Sequence, residues 1–208
     1  MKILDFIWPH VGRMPQDKTL DDDLSKISAA TWGDKTATFL EEARRLRDIE
    51  TGRQRSAETK SQIYLAALLA LIPILVSLTE HDALKGVMAF DTWYGVVGFI
   101  LFILGLTFGV GGFVSSFRAL TVRAYHRVDV NEIVKSGTSE DSLGDLTKQV
   151  LRTVRKDRSN VNHKISYVVV THQLVFRMAF SLLLALVLIT FAPNLGAFFD
   201  MLKTAVCG

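Results

Sequence analysis

Cysteine is almost missing from this 208-residue chain, with Cys207 as its single example. One thiol excludes an internal disulfide and a cysteine-based zinc cluster; it reads first as an incidental residue on a loose tail, with intermolecular pairing or lipidation as the alternatives. Proline is also scarce, at four residues, so long stretches lack the strongest helix breaker. The opening Met1-Lys2-Ile3 is not followed by an apolar h-region with a small-residue cleavage site. The segment therefore reads as mature sequence, with Ile3, Phe6, Ile7 and Trp8 packing on protein. There is no GxxxxGK[ST] phosphate loop, no GxSxG elbow and no HExxH zinc helix. His10, His81, His126, His163 and His172 show no ligand spacing, so neither an enzyme, a metal nor a cofactor is expected. Three adjacent carboxylates, Asp21-Asp22-Asp23, cannot all face one ion from a helix and read as a solvated surface. The formal net charge of +3 is too small to imply general nucleic-acid binding.

What the chain does have is segregation: 49% hydrophobic residues gathered in blocks, with the charged residues gathered elsewhere. Gln62 to Thr79 is 18 residues without a charge, which as a helix rises about 27 Å, close to a hydrocarbon core. Trp93 to Phe117 is 25 residues without a charge, with Trp93 and Tyr94 placed as interfacial anchors. Leu174 to Pro193 is a third block that contains Arg177 one turn from its start, where the side chain can snorkel to the headgroups; a helix packed inside the protein is the alternative. The sequence thus predicts an all-α integral membrane protein, its two to three transmembrane helices extended into a cytoplasmic helical bundle.

Lysine and arginine set the expected orientation. Residues 1–60 carry 11 of them, residues 80–92 carry only Lys85, and residues 117–173 carry 10. The positive-inside rule then places the N-terminus and both polar segments on the cytoplasmic side of the membrane. In order, the expected parts are an irregular N-terminal segment at 1–35, an amphipathic helix at 36–60 and a first span at 62–79. An external loop at 80–92 and a second span at 93–117 follow. A helical stalk at 118–173, a third span at 174–193 and an external or interfacial tail at 194–208 complete the chain. Phe39, Leu40, Ala43, Leu46 and Ile49 form an apolar stripe on the first polar helix, and Gly52 is a point where it can bend. The second span extends through Arg118, Arg123 and Arg127 to an end near Gly137. Ser142 and Asp145 have capping-box spacing, and Leu143, Leu146, Val150, Val154, Val161 and Ile165 form another stripe.

Two patterns rise above this background. Gly98, Gly105, Gly109 and Gly112, continued by Ser116, lie on one face of the second span, where another backbone can approach closely. That face can pack against the chain's own first or third span, mediate self-association or line a narrow pore, and Pro73 adds a kink usable in gating. The second pattern is cationic. Arg123 and Arg127 share one helical face, and Arg152, Arg155, Lys156, Arg158 and Lys164 follow, diluted by Asp157. Such residues serve topology and lipid headgroups, or hold a phosphate-bearing ligand.

Three segments carry a family resemblance: Ser56-Ala57-Glu58-Thr59-Lys60 before the first span, Arg118-Ala119-Leu120 after the second, and Arg158-Ser159-Asn160-Val161-Asn162-His163-Lys164-Ile165-Ser166-Tyr167 before the third. Over residues 36–192 the layout resembles the small membrane effectors of bacterial anti-phage nucleotide signalling, namely the Pycsar-type transmembrane effector domain and, more loosely, the SLATT domain. The resemblance implies a homo-oligomer in the lipid bilayer that senses a nucleotide or oligonucleotide made by a partner nucleotidyltransferase or cyclase and permeabilises the inner membrane. The family's layout maps onto Lys60, Arg118, Asn160 and Lys164. No separate ligand-binding module is evident, so the nucleotide would bind the helical stalks, through Arg118, Arg123, Arg127, Arg155, Arg158, Asn160 and Lys164. The alternative expectation is a non-enzymatic membrane scaffold or accessory subunit that recruits a cytoplasmic partner through residues 36–58.

Overall fold

The computed structural model describes residues 9, 11, 17–80, 92–121 and 130–207; for 75, 76, 78–80, 130, 132, 133, 135 and 192–207 it describes the backbone. Among the described residues every regular element is a helix: α1 (Leu20–Ala29), a 3-10 turn (Gly33–Lys35), α2 (Thr36–Glu80), α3 (Trp93–Leu120), α4 (Val130–Gly137) and α5 (Ser142–Cys207). The chain divides into two compact units. One, apolar, takes in Gln62–Phe117 and Val169–Gly208, and the other, polar, takes in His10–Ser61 and Arg118–Val168.

Helix α1 occupies residues 20–29 of the segment at 1–35 that was expected to be irregular; residues 1–8, 10 and 12–16 lie outside the described residues. Its local logic is visible in retrospect. Asp21, Asp22 and Asp23 fill the first turn, where the helix dipole favours negative charge, and Lys26 sits in the last turn. Asp22 accepts from Lys26 Nζ at 2.6 Å, an i, i+4 pair in the favourable order. Leu20, Asp23, Leu24 and Ile27 are half-buried on one face, and the acidic run that looked like plain surface is what starts the helix. Gly33 then turns the chain at φ +53°, a value that disfavours any side chain, and its carbonyl accepts from Thr36 Oγ1 at 2.6 Å to open α2.

Helix α2 runs unbroken for 45 residues, through Gly52 and Pro73. Its buried positions are Thr36, Leu40, Ala43, Ala57, Ser61 and Leu68, all on one seam with a seven-residue period. Phe39, Leu46 and Ile49, expected in the same stripe as Leu40 and Ala43, are instead 43–50% exposed. Helix α5 starts at Ser142, one residue earlier than a cap at Ser142 would allow. Asp141, not Ser142, is the N-cap, accepting from the Gly144 amide at 3.0 Å. The helix continues through Pro193 to Cys207, so the expected break between a third span and a tail is absent. One missing amide donor does not end a helix whose flanks on both sides remain helical. Helix α3 ends at Leu120, short of the single helix expected to run on to Gly137, and it is α4 that stops at Gly137; Arg123, Arg127 and the loop residues 81–91 lie outside the described residues.

In the apolar unit α3 lies antiparallel to α5. Each seven-residue step along α3 is answered by a seven-residue step back along α5. Hypothetical Cβ atoms at Gly98, Gly105 and Gly112 would come within 3.0, 2.9 and 3.5 Å of Ile189, Leu182 and Val175. A Cβ added at Gly109 would meet Met178 Sδ at 2.9 Å in the same register, and Ser116 Oγ donates to Thr171 Oγ1 at 3.4 Å. Leu68 of α2 closes the third side, packing with Phe108, Leu174 and Met178. Of the three uses open to the glycine face, packing within the chain is the one the structure contains. Pro73 is exposed, off this seam.

Two of these helices are long and apolar enough to cross a membrane, Trp93–Leu120 and the stretch Ser142–Phe191 of α5, and only 22% of the most apolar window of each is buried. A core helix of a soluble protein would be mostly covered. Here Val97, Ile100, Phe113, Phe176, Phe180 and Leu183 are exposed, at 37–67%. The expected span at Gln62–Thr79 lies inside α2, but its side chains at 75, 76, 78 and 79 lie outside the described set, and it is not one of these two.

The glycine contacts set a graded expectation. Gly112→Ala fills ordinary contact space and gains helix propensity, so it should hold or raise the unfolding midpoint, within about 1 kcal/mol. Gly105→Leu drives a branched side chain into Leu182 and should cost about 1–3 kcal/mol or more. Thermal unfolding of both variants in one detergent checks the order, and equal midpoints would refute this register.

Candidate functional site

The polar unit holds an open cleft of about 620 Å³. One wall is α5, through Arg155, Arg158, Ser159, Asn162, His163 and Ser166; the other is the segment that leads into α1, through Asp17, Lys18, Thr19 and Asp23. The α5 residues share a face because they recur at three- and four-residue intervals. Hydroxyls, an amide, an imidazole and three cations therefore line one concavity, with two carboxylates beside them.

Arg155 is the centre of this wall. Its Nε donates to Asp23 Oδ2 at 2.6 Å, Nη1 to Asp17 Oδ2 at 2.7 Å and Nη2 to Thr19 Oγ1 at 3.0 Å. Asp17 in turn accepts from the Thr19 amide at 3.2 Å and hydroxyl at 2.9 Å. The Arg155 hydrogen bond first, then that of Thr19, lowers the Asp17 pKa from 3.8 to about 2. The two carboxylates raise that of Arg155 in return. One turn earlier, Arg152 donates to Ser28 Oγ at 2.6 Å, so α1 is tied to α5 at both its ends.

The other cations expected to bind an anion divide sharply. Lys164 is 3% exposed and donates to Glu58 Oε1 at 2.6 Å, while Gln54 donates to the same oxygen at 2.9 Å. Burial raises the Glu58 pKa, but the hydrogen bonds from Lys164 and Gln54 and the lysine's charge outweigh it, and the net direction is down. Nearby, Arg53 Nη2 donates to Asn162 Oδ1 at 2.9 Å while Nη1 bonds Glu50 at 2.9 Å. Residue numbers rise together across these pairs, so α2 and α5 run parallel in this unit. Lys164 thus serves as a packing residue. Asn160 is half-buried and away from the cleft, Lys60 and Arg118 are exposed elsewhere, and Arg123 and Arg127 lie outside the described residues. Of the seven residues expected to bind a nucleotide, the structure brings Arg155 and Arg158 together.

Sequence reasoning missed the opposite wall. Asp17, Lys18 and Thr19 carry no pattern of their own, and Asp23 was one of three look-alike carboxylates. Asn162, His163 and Ser166 did lie in the segment that carried the resemblance, at positions not singled out. Among the described residues no group of three or more His, Cys, Asp or Glu is placed to hold a metal ion.

Two outcomes follow from the ion pairs. Glu58→Ala removes the carboxylate from a buried ammonium that is only partly shielded from water on the glutamate side. The loss should fall between the ~1 kcal/mol of an exposed pair and the ~3–5 kcal/mol of a buried one, and Lys164→Met with Glu58→Met should recover most of it. Chemical denaturation of the three proteins measures this, and a double variant no better than the single would contradict it. Ionised Asp17 holds the clamp at any pH above about 3.8, the free value, and its contribution fades as pH falls towards 2. In Arg155→Ala the Asp17 carboxyl should titrate back up towards 3.8, read by carboxyl-carbon NMR; an unmoved midpoint would deny the pairing.

No protein-family model matches the chain, and no curated protein and no solved structure is significantly similar to it.

Proposed function

We propose that this protein is a membrane-inserted, non-enzymatic oligomer that permeabilises the bacterial inner membrane when an anionic nucleotide binds its cytoplasmic helices. The observation that carries the membrane part is the apolar surface of α3 and α5: among the described residues, large side chains such as Val97, Ile100, Phe113, Phe176, Phe180 and Leu183 are exposed. Water-exposed patches of that extent are unfavourable in a soluble monomer, and lipid or another subunit removes the penalty. The polar unit suits the cytoplasmic side, where its arginines and lysines obey the positive-inside rule. In the apolar unit the pairs Tyr64–His172 and Leu68–Leu174 rise together while the α3–α5 pairs run in opposition, which agrees with a chain passing in, out and in again through Gln62–Thr79, Trp93–Phe117 and Leu174–Phe191.

Because the glycine face is filled by α5, subunits would meet through the exposed faces of α3 and α5. Pore formation then depends on rearranging those faces, and a ligand achieves this only by binding one arrangement more tightly than the other. The cleft beside Arg158 is the place for such a ligand, and a partner nucleotidyltransferase or cyclase its source, as the resemblance to Pycsar-type and SLATT effectors suggests. A second reading has its own observation. Phe39, Leu46 and Ile49 form an exposed apolar row on α2, which suits a scaffold that recruits a cytoplasmic partner.

The full chain should stay in the membrane pellet after alkaline carbonate washing; release into the supernatant would end the membrane assignment. Reconstituted in vesicles of bacterial polar lipid, it should release a small dye on addition of a cyclic di- or oligonucleotide. Arg158→Ala should reduce the response at least about tenfold, in line with the loss of a charge-assisted phosphate contact. Tight vesicles across a panel of such nucleotides, together with a stable hetero-complex through α2, would favour the scaffold instead.

A further inference from the structure

The cleft contains its own competitor for the ligand it is suited to hold. Arg155 offers its guanidinium to two carboxylates and a hydroxyl in the fork geometry that phosphate oxygens also fit. Beside it, Arg158 and Lys18 line the same concavity, and among the described residues neither forms an ion pair. The five charged groups of the wall are Arg155, Arg158 and Lys18 against Asp17 and Asp23, which leaves one positive charge over. That surplus is enough to attract an anion, and too little to hold a phosphate dianion while both carboxylates stay on Arg155.

We propose that a phosphate-bearing ligand enters this cleft by exchange, taking Arg155 from Asp17 and Asp23 and so loosening α1 from α5. The inference rests on the anion-gated reading above and supplies its regulation: the carboxylates are stand-ins for phosphate, and α1 is the element they hold. Three features agree with this. The carboxylates sit on the segment leading into α1 and on its first turn, so losing Arg155 removes the ties at that end, leaving Arg152–Ser28 at the other. Both aspartates are partly open to solvent, at 29% and 36%, so water can take over their hydration as they leave. Arg155 itself is 16% exposed, low enough for a replacement partner to be required, and the cleft presents a phosphate group to it from the open side. The exchange is also directional. A monoanion such as chloride satisfies the surplus charge with the clamp intact, whereas a multiply charged phosphate gains most with the carboxylates gone.

The test uses the full chain in detergent or nanodiscs with inorganic pyrophosphate as probe, at fixed ionic strength set with chloride. Hydrogen–deuterium exchange over residues 20–29 should speed up on adding pyrophosphate and stay unchanged on adding more chloride. Asp17→Asn with Asp23→Asn should bind pyrophosphate about tenfold more tightly, since two partly exposed ion pairs no longer compete, and should show fast exchange in α1 before any ligand is added. Arg155→Ala should lose most of the binding. Slower exchange in α1 on binding, or weaker binding by the double asparagine variant, would overturn the exchange. If the double variant does not fold, the wild-type exchange experiment alone decides. Vesicle leakage is not read here, so a failure of the channel reading would leave these measurements interpretable, and a failure of the exchange would leave leakage untouched.

Discussion

Close approach between α3 and α5 is the constraint on which the apolar unit depends. Where both helices are bathed in lipid, burying apolar surface gives little drive to association, and packing contacts must supply it. Gly98, Gly105 and Gly112 recur every seven residues on α3, and Ile189, Leu182 and Val175 answer them on α5 at the same interval. A straight helix drifts against a seven-residue repeat, so a seam kept over this length implies a left-handed winding of one helix about the other. Moving α5 by one turn would set Met178 against Phe113 in one direction, or Leu182 against Leu101 in the other, in place of a glycine. The register is therefore held by what the small residues exclude as much as by what they permit.

Polar groups on the seam do the complementary task of choosing one register among apolar ones. Thr171 and Ser116 are fully buried and meet in the apolar unit, and Lys164 meets Glu58 in the polar one. An apolar seam tolerates a slip of one heptad at modest cost. A slip that separates a buried ammonium from its carboxylate leaves a charge poorly compensated in a low-dielectric setting, which is far more costly. Such polar positions specify pairing even where an apolar replacement would be as stable, the role best known for buried polar residues in coiled coils.

This division explains what could be read from sequence. Long helices, their apolar stretches and the glycine face were legible because composition and seven-residue spacing announce them. The stop at Gly137 was legible for the same local reason. The seam itself was not, because several of its buried positions, Thr147, Lys164, Thr171 and Ser181, are polar and drop out of any hydrophobic count. Leu143 and Phe39, which such a count recruits, are exposed. Helix α1 was missed because three aspartates and a lysine look like solvated coil until the dipole and the i, i+4 pair are weighed together. The cap of α5 moved from Ser142 to Asp141 because both residues can cap, and only the fold decides which side chain meets the Gly144 amide.

The candidate site shows why a run of basic residues is a poor measure of the charge a ligand meets. Arg152, Arg155, Lys156, Arg158 and Lys164 look equivalent along α5, yet the fold assigns them separately. Arg152 goes to Ser28, Arg155 to Asp17 and Asp23, and Lys164 to Glu58, while Lys156 and Arg158 remain exposed. Only Arg158 of the exposed pair lines the cleft, joined there by Lys18 from a part of the chain more than a hundred residues away. An anion approaching α5 therefore meets a field much weaker than the sequence suggests, until the carboxylates on Arg155 are displaced. Under the exchange proposed above, a site with that arrangement would discriminate by ligand charge. Weakly charged solutes gain little from it, and only a ligand able to replace two carboxylates obtains the full set of donors.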